Sequence, residues 1–229
     1  MAETFDPPSS TKPPKPEKVS AVIFDWDFTI TQRGGEFFFR GGDGKAKAMV
    51  KNIITATVGH FPKPISDGRK AVESAIRSAF PTELRAGIKE LLTDMTEKGI
   101  PVFIVSNGDH ELVSKEIEEM LGSDLAKKIH FQGKEVGKPQ KPQEEAIRSP
   151  LVQHGIPIDN HVLFVGDSFE NDIIPAHKCG ITPILIGCNK NEVTKTEKFN
   201  HNVGNPVTII HGFHELRELV FFNDSQIKR

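Results

Sequence analysis

Tyrosine is absent from this chain of 229 residues, tryptophan occurs once and cysteine twice, whereas phenylalanine occurs 16 times. Two cysteines, Cys179 and Cys188, build no disulfide framework. A reducing compartment is therefore the expectation. No apolar run approaches the roughly 20 residues of a membrane-spanning helix. The N-terminus has no hydrophobic stretch, so no cleavable secretory signal is expected. We expect a cytoplasmic protein, with export by a signal-less route left open. An excess of either charge is lacking too, since the net charge is −2. That argues against a nucleic-acid partner or general adhesion to membranes. No internal repeat recurs at a fixed period. Nothing in the residues speaks to oligomeric state or to truncation at the C-terminus.

With 37% hydrophobic and 26% charged residues, the chain can bury one sizeable core and carry a small insertion. Residues 1–18 hold five prolines and read as a disordered or extended tail. A PxxP-type ligand in Pro13-Pro14-Lys15-Pro16 is the sharper alternative. Strands are expected at Ser20–Phe24, Pro101–Val105, Ile129–Gln132, Val162–Val165, Thr182–Ile186 and Val207–Ile210. Helices are expected over Glu83–Lys98, His110–Leu121, from about Pro142 to His154, from Asn171 onward and over Glu215–Val220. Strands alternating with helices predict an α/β fold with a parallel sheet and right-handed crossovers. Two further helices, Lys45–Val58 and Asp67–Phe80, have no strand partners. The expected division is a tail at 1–18, a core at 19–34 and 81–222, and a small helical insertion at 35–80.

The first strand ends in Val22-Ile23-Phe24-Asp25-Trp26-Asp27-Phe28-Thr29. The carboxyl ends of strands are where open α/β sheets bind ligands. Alternate side chains of an extended segment point the same way, so Asp25, Asp27 and Thr29 can converge. Two carboxylates that close need a cation or a proton between them. Taken alone, both aspartates also fit capping or turn roles. Two more strand ends carry polar groups, Ser106-Asn107 and Gly166-Asp167 with Asp172. Lys138 and Lys141 lie in a loop ahead of the strand at Val162.

In this order the set resembles the haloacid dehalogenase (HAD) superfamily, in its C1-capped phosphatase branch. The matching motifs are D-x-D-x-T at Asp25 to Thr29, a serine closing a strand at Ser106, a lysine followed by proline, and G-D-x-x-x-x-D at Gly166 to Asp172. The resemblance spans about residues 20–220. It implies a HAD-like Rossmannoid sheet with a helical cap inserted after the first strand. It also implies an Mg²⁺-dependent phosphomonoesterase.

In such an enzyme Asp25 is the nucleophile and forms an aspartyl-phosphate. Asp27 is the acid and then the base, a switch that calls for a pKa raised toward neutrality. Asp25, Asp167 and the Asp27 backbone carbonyl would hold Mg²⁺, with Asp172 bound directly or through water. Ser106 and the Asn107 N–H would hold phosphoryl oxygens near a helix start. Thr29 belongs to the same set, ordering the loop rather than touching substrate. The lysine would neutralise nucleophile and phosphoryl group. Lys138 has the family's usual Gly and Pro neighbours. Helical register favours Lys141, because Ala146, Ile147 and Leu151 fall at the apolar positions beyond it.

The resemblance narrows the chemistry further. Dehalogenases of this superfamily lack the second aspartate, so Asp27 argues against dehalogenation. Position 28 is often glycine in the sugar-phosphate branch and is Phe28 here. The short insertion suggests an open site. Phe37, Phe38, Phe39 and Phe61 read either as its own core or as an apolar wall, with Arg40, Lys63 and Arg69 able to meet an anion. The second reading suits aryl phosphates or phosphotyrosine in proteins. The expected partner is thus a phosphorylated small molecule or a phosphoprotein. The alternatives are a sugar-phosphate phosphomutase, which needs a better-closing cap, and an inactive interaction protein, which complete motifs oppose.

Overall fold

Alternate residues of the first strand, β1 (Ala21–Phe24), face opposite layers of the core. Val22 and Phe24 pack in one apolar cluster and Ala21 and Ile23 in another, all four fully buried. A strand buried on both faces belongs inside a sheet that helices cover on both sides. The computed structural model describes residues 18–33, 74, 77, 82–187, 189–203 and 206–221. Among them β1 lies inside a six-stranded parallel sheet flanked by helices, an α/β architecture of the Rossmann-like kind.

The other strands of that sheet are β4 (Val102–Asp109), β5 (His130–Lys134), β6 (Val162–Gly166), β7 (Thr182–Ile186) and β8 (Thr208–Ile210), in the order β5-β4-β1-β6-β7-β8. The chain leaves β1 toward β4 on one side and later returns to β6 on the other. That reversal makes the carboxyl ends of β1, β4 and β6 a topological switch point, where a crevice opens.

Helix α1 (Ile88–Glu97) buries Ile88, Leu91, Leu92 and Met95, an i, i+3, i+4, i+7 stripe. It starts later than the expected Glu83, and Leu84 is not on its face. Gly87 takes a left-handed φ of 79° just before it. Ahead of that break, β3 (Thr82–Leu84) pairs antiparallel with β2 (Thr31–Arg33). Helix α2 (His110–Leu121) follows β4, with the short α3 (Ser123–Ala126) after it. Helix α4 (Glu145–Gln153) precedes β6, α5 (Ile174–Cys179) precedes β7, and α7 (Phe213–Phe221) closes the described chain.

Helix α6 (Lys190–Asn200) has no counterpart in the sequence expectations. Only Thr196 of its residues is buried, so it carries almost no apolar period. Its start is fixed instead by Asn189, whose Oδ1 accepts the Asn191 N–H at 2.9 Å. The tail and the insertion expected at 35–80 lie outside the described residues, apart from Lys18, Ser74 and Arg77. The same holds for Phe37 to Arg40, Phe61, Lys63, Arg69 and Cys188.

Cys179 closes α5 inside the second core cluster. Burial pushes its thiol up to about 11, and the thiolate is the reactive form. We therefore expect Cys179 to resist iodoacetamide in the native protein at about pH 8 and to react once denatured. Peptide mapping by mass spectrometry reads this directly. Native labelling at the rate of a free thiol would contradict the burial.

Candidate active site

The chain turns sharply after β1, over Trp26–Ile30. Phe28 sits at φ 64°, ψ 1°, a left-handed position that a bulky residue rarely takes. The Arg85 Nη2 donates to the Phe28 carbonyl at 3.1 Å and helps hold the turn. Strain of this sort gathers at functional sites. Here it brings Thr29 back over the end of its own strand. The Thr29 hydroxyl donates to Asp25 Oδ2 at 3.1 Å and lies 3.4 Å from Asp167 Oδ1. It is fully buried, which fits a role in ordering the aspartates.

Asp25, Asp167 and Asp172 converge at the ends of β1 and β6. Each offers a carboxylate oxygen, and these oxygens lie within 4.8 Å of one another. All three residues are buried. Gly166 permits the approach of Asp172. A Cβ on Gly166 would fall 2.3 Å from Asp172 Cβ, well inside contact distance. Asp172 Oδ2 accepts the N–H groups of Asp167 and Ser168 at 3.1 and 3.0 Å. We expect Gly166→Ala to displace Asp172 and to cost about 1–3 kcal/mol by overpacking, along with most of any activity. Urea denaturation measures the first effect. An alanine variant as stable as the wild type would show that the close approach can relax.

Lys141 enters this group from the loop before α4. Its Nζ lies 2.5 Å from Asp25 Oδ1 and 2.7 Å from Asp172 Oδ1, with the side chain 3% exposed. Burial alone would depress the ammonium, but Asp172 and Asp25 outweigh it and hold the pKa above its ordinary value. Burial also raises the Asp25 carboxyl. Lys141 opposes this, Asp172 and Asp27 add to it, and the result is about 7. Lys138 lies apart, exposed and paired with Glu135 at 2.8 Å.

Ser106 and Asn107 stand where β4 pairs irregularly with β5, between Val105 and Asp109. The strand thus continues past Ser106, its expected end, through a bulge. Bulges of this kind re-aim side chains next to active sites. The buried Ser106 Oγ accepts the Gly108 N–H at 3.0 Å. The Asn107 side chain has a task that its sequence position did not announce. Its Nδ2 donates to the Lys141 carbonyl at 2.8 Å and its Oδ1 accepts the Lys141 N–H at 3.0 Å. The Asn107 amide therefore clamps the lysine loop to β4. Asp109 caps α2, accepting the N–H groups of Glu111 and Leu112 at 3.1 and 3.2 Å.

Asp27 is separate from the other three aspartates. Its Oδ2 pairs with Arg77 Nη2 at 3.2 Å, and it is the more exposed carboxylate, at 26%. Arg77 also hydrogen-bonds Glu116 on α2. No feature of the sequence singled out Arg77 or Glu116.

The donor set suits a divalent cation. Among the described residues, three buried carboxylates face one ammonium, a group with two negative charges when all are ionised. Charges buried without compensation are costly. A divalent ion would balance them. The oxygens of one octahedral Mg²⁺ lie about 3–4 Å apart, within the spacing seen here.

A sequence model of the haloacid dehalogenase-like hydrolases matches residues 50–186. That stretch holds Ser106, Lys141, Asp167 and Asp172 but not the Asp25-Asp27 turn, so the match does not depend on the first motif. No curated protein matches the chain. Solved structures do. A HAD-superfamily hydrolase from Ehrlichia chaffeensis is 22% identical with a TM-score of 0.57, covering 89% of this chain and 96% of its own. A protein assigned as a phosphoglycolate phosphatase from Lactobacillus delbrueckii subsp. bulgaricus is 18% identical with a TM-score of 0.62, covering 89% and 98%. CbbY from Rhodobacter sphaeroides, solved in complex with phosphate, is 16% identical with a TM-score of 0.60, covering 86% and 96%. At these identities the likeness is one of fold. Among the described residues, no helix is long and apolar enough to cross a membrane.

Proposed function

Because the chain belongs to the haloacid dehalogenase-like hydrolases, we propose that it is an Mg²⁺-dependent phosphatase that hydrolyses phosphomonoesters through an aspartyl-phosphate on Asp25. One observation carries this reading. Lys141 bridges Asp25 and Asp172 at 2.5 and 2.7 Å inside a buried group that remains net negative. Such a group has the charge to receive one divalent cation and the anionic ester that comes with it. Asp25, Asp167 and Asp172 would hold Mg²⁺, with the Asp27 carbonyl as a further ligand. When bound, the ion shields the phosphoryl oxygens from the attacking carboxylate.

The protein's own residues carry the rest. Thr29 and Lys141 orient the Asp25 carboxylate. Asp25 attacks phosphorus, and the bond from phosphorus to the ester oxygen breaks. Asp27 gives that oxygen its proton. Asp27 then takes a proton from water as the water attacks the aspartyl-phosphate. Inorganic phosphate leaves and Asp25 is restored. Ser106 and the Asn107 N–H bind the phosphoryl oxygens, while the Asn107 side chain keeps Lys141 in place.

A small phosphorylated metabolite is the favoured substrate class. A related Asp→Asn variant of CbbY was solved in complex with xylulose-1,5-bisphosphate. Aryl phosphates and phosphotyrosine in proteins remain the other arm of a substrate profile, resting on phenylalanines outside the described residues. The test is phosphate release from a panel of esters with Mg²⁺ and with EDTA. Metal-dependent release supports the reading. Transfer to a second sugar phosphate in preference to water would replace it with a phosphomutase.

A further inference from the structure

We propose that Arg77 is the positioning residue for Asp27, with Glu116 on α2 as its anchor. The inference rests on the reading of Asp27 as proton donor. The Arg77 side chain is only 10% exposed, and it bridges two carboxylates of unlike surroundings. A guanidinium at this depth needs both charge and hydrogen bonds, and its planar fork imposes direction on what it binds. On one side it takes Asp27 Oδ2 at 3.2 Å. On the other it takes Glu116 Oε2.

Glu116 is itself fixed from three segments. Its Oε2 also accepts the Trp26 Nε1–H at 3.0 Å, and its Oε1 accepts the Thr82 hydroxyl at 3.3 Å. Trp26 stands between Asp25 and Asp27 and is fully buried. The Asp27 carboxylate is thus tied to the turn, to β3 and to a core helix through one arginine. Held by one oxygen, a planar carboxylate has the direction of its second oxygen set as well. A donor that must reach a leaving oxygen within hydrogen-bond distance needs that constraint.

The same contact sorts the acidic residues. Asp25, Asp167 and Asp172 form one group, and Arg77 draws Asp27 toward a different partner. Three carboxylates then serve the cation and the fourth serves the proton.

Leaving-group dependence separates positioning from plain structural support. An alkoxide leaves poorly unless protonated, whereas p-nitrophenolate is a stable anion. We would measure kcat and KM for glycerol 2-phosphate and p-nitrophenyl phosphate with Mg²⁺. The proteins are the wild type, Arg77→Ala, Arg77→Lys and Glu116→Gln. Arg77→Ala should lower kcat on the alkyl ester by about 10²-fold and on the aryl ester by less than about fivefold. Arg77→Lys should recover part of the alkyl rate, and Glu116→Gln should lose rate with the same substrate bias. The emission of Trp26, the sole tryptophan, should shift in Glu116→Gln because its indole partner changes.

If Arg77→Ala does not fold, the Lys and Gln variants carry the same comparison. Equal losses on both esters, or no loss, would overturn the proposal while leaving the phosphatase reading intact. A wild type inactive on every ester would remove that reading, and this inference with it.

Discussion

Asp25→Asn should lower turnover by about 10⁴-fold or more while leaving a protein that folds and is more heat-stable without metal. The loss follows from chemistry, because an amide cannot form the acyl-phosphate. The gain in stability follows from burial. The Asp25 carboxyl is raised from 3.8 to about 7, with desolvation as the largest cause and Lys141 opposing it. Between those two values the folded state holds a proton that the unfolded state has released. Stability of the metal-free protein therefore falls as pH rises from about 4 to about 7, then levels off. Asparagine is close in shape to the protonated acid and never ionises. Its carbonyl can accept from Lys141 and its amide can donate to the Thr29 hydroxyl. That hydroxyl can then turn its own proton to Asp167 Oδ1, 3.4 Å away. In EDTA at about pH 8 the midpoint of Asp25→Asn should exceed that of the wild type by at least about 2 °C. Near pH 4 the two should coincide. A lower midpoint at pH 8 would mean that the ionised Asp25–Lys141 contact stabilises more than burial costs.

The sequence made the sheet legible because its signal is local. Each strand is a short apolar run, and Asp25, Ser106 and Asp167 follow directly on such runs, so β1, β6 and β7 lie within a residue or two of expectation. At the lysine loop the register reading can be set beside the geometry. Ala146, Ile147 and Leu151 are buried in α4, and Lys141, not Lys138, lies beside Asp25. What stayed hidden depends on partners far apart in the chain. The β2–β3 pair joins Gln32 to Glu83, and neither short strand alternates apolar with polar residues. The polar helix α6 gave no period to read. Glu116 lies beside the Val113, Ile117, Leu121 stripe of α2 and reads as a solvent-facing charge. Only the folded chain shows Trp26, Arg77 and Thr82 meeting on it.

Lys141→Ala should produce a protein whose stability depends on divalent metal far more than the wild type's does. Among the described residues, Lys141 is the ammonium set against the three buried carboxylates, at 2.5 and 2.7 Å from two of them. Removing one partner of a buried pair costs about 3–5 kcal/mol, because the other charge remains uncompensated. In a chain of this length that lowers the metal-free midpoint by about 10 °C. The loop itself should persist, since Asn107 binds the backbone N–H and carbonyl of residue 141, which alanine keeps.

The pH dependence separates this loss from general damage. The Lys141 ammonium is held above its ordinary value of 10.5, so its contribution is fully present below that pH and is lost only as pH rises past the raised value. The wild type therefore loses nothing from Lys141 between about pH 6 and pH 9. In the variant, Asp25 has lost the group that lowered it. Its proton is held to still higher pH, and the fall in stability with rising pH should extend beyond 7. On the proposed reading Mg²⁺ would bind the folded carboxylates and not the unfolded chain, adding about 2.7 kcal/mol at 100 times the dissociation constant. At one fixed Mg²⁺ concentration the variant, with one more uncompensated charge, should bind the ion more tightly and gain more than the wild type. The ion should restore much of the variant's midpoint while kcat stays lower by about 10²–10³-fold. Equal Mg²⁺ shifts in variant and wild type would indicate that the ion does not share the Asp25, Asp167 and Asp172 group with Lys141.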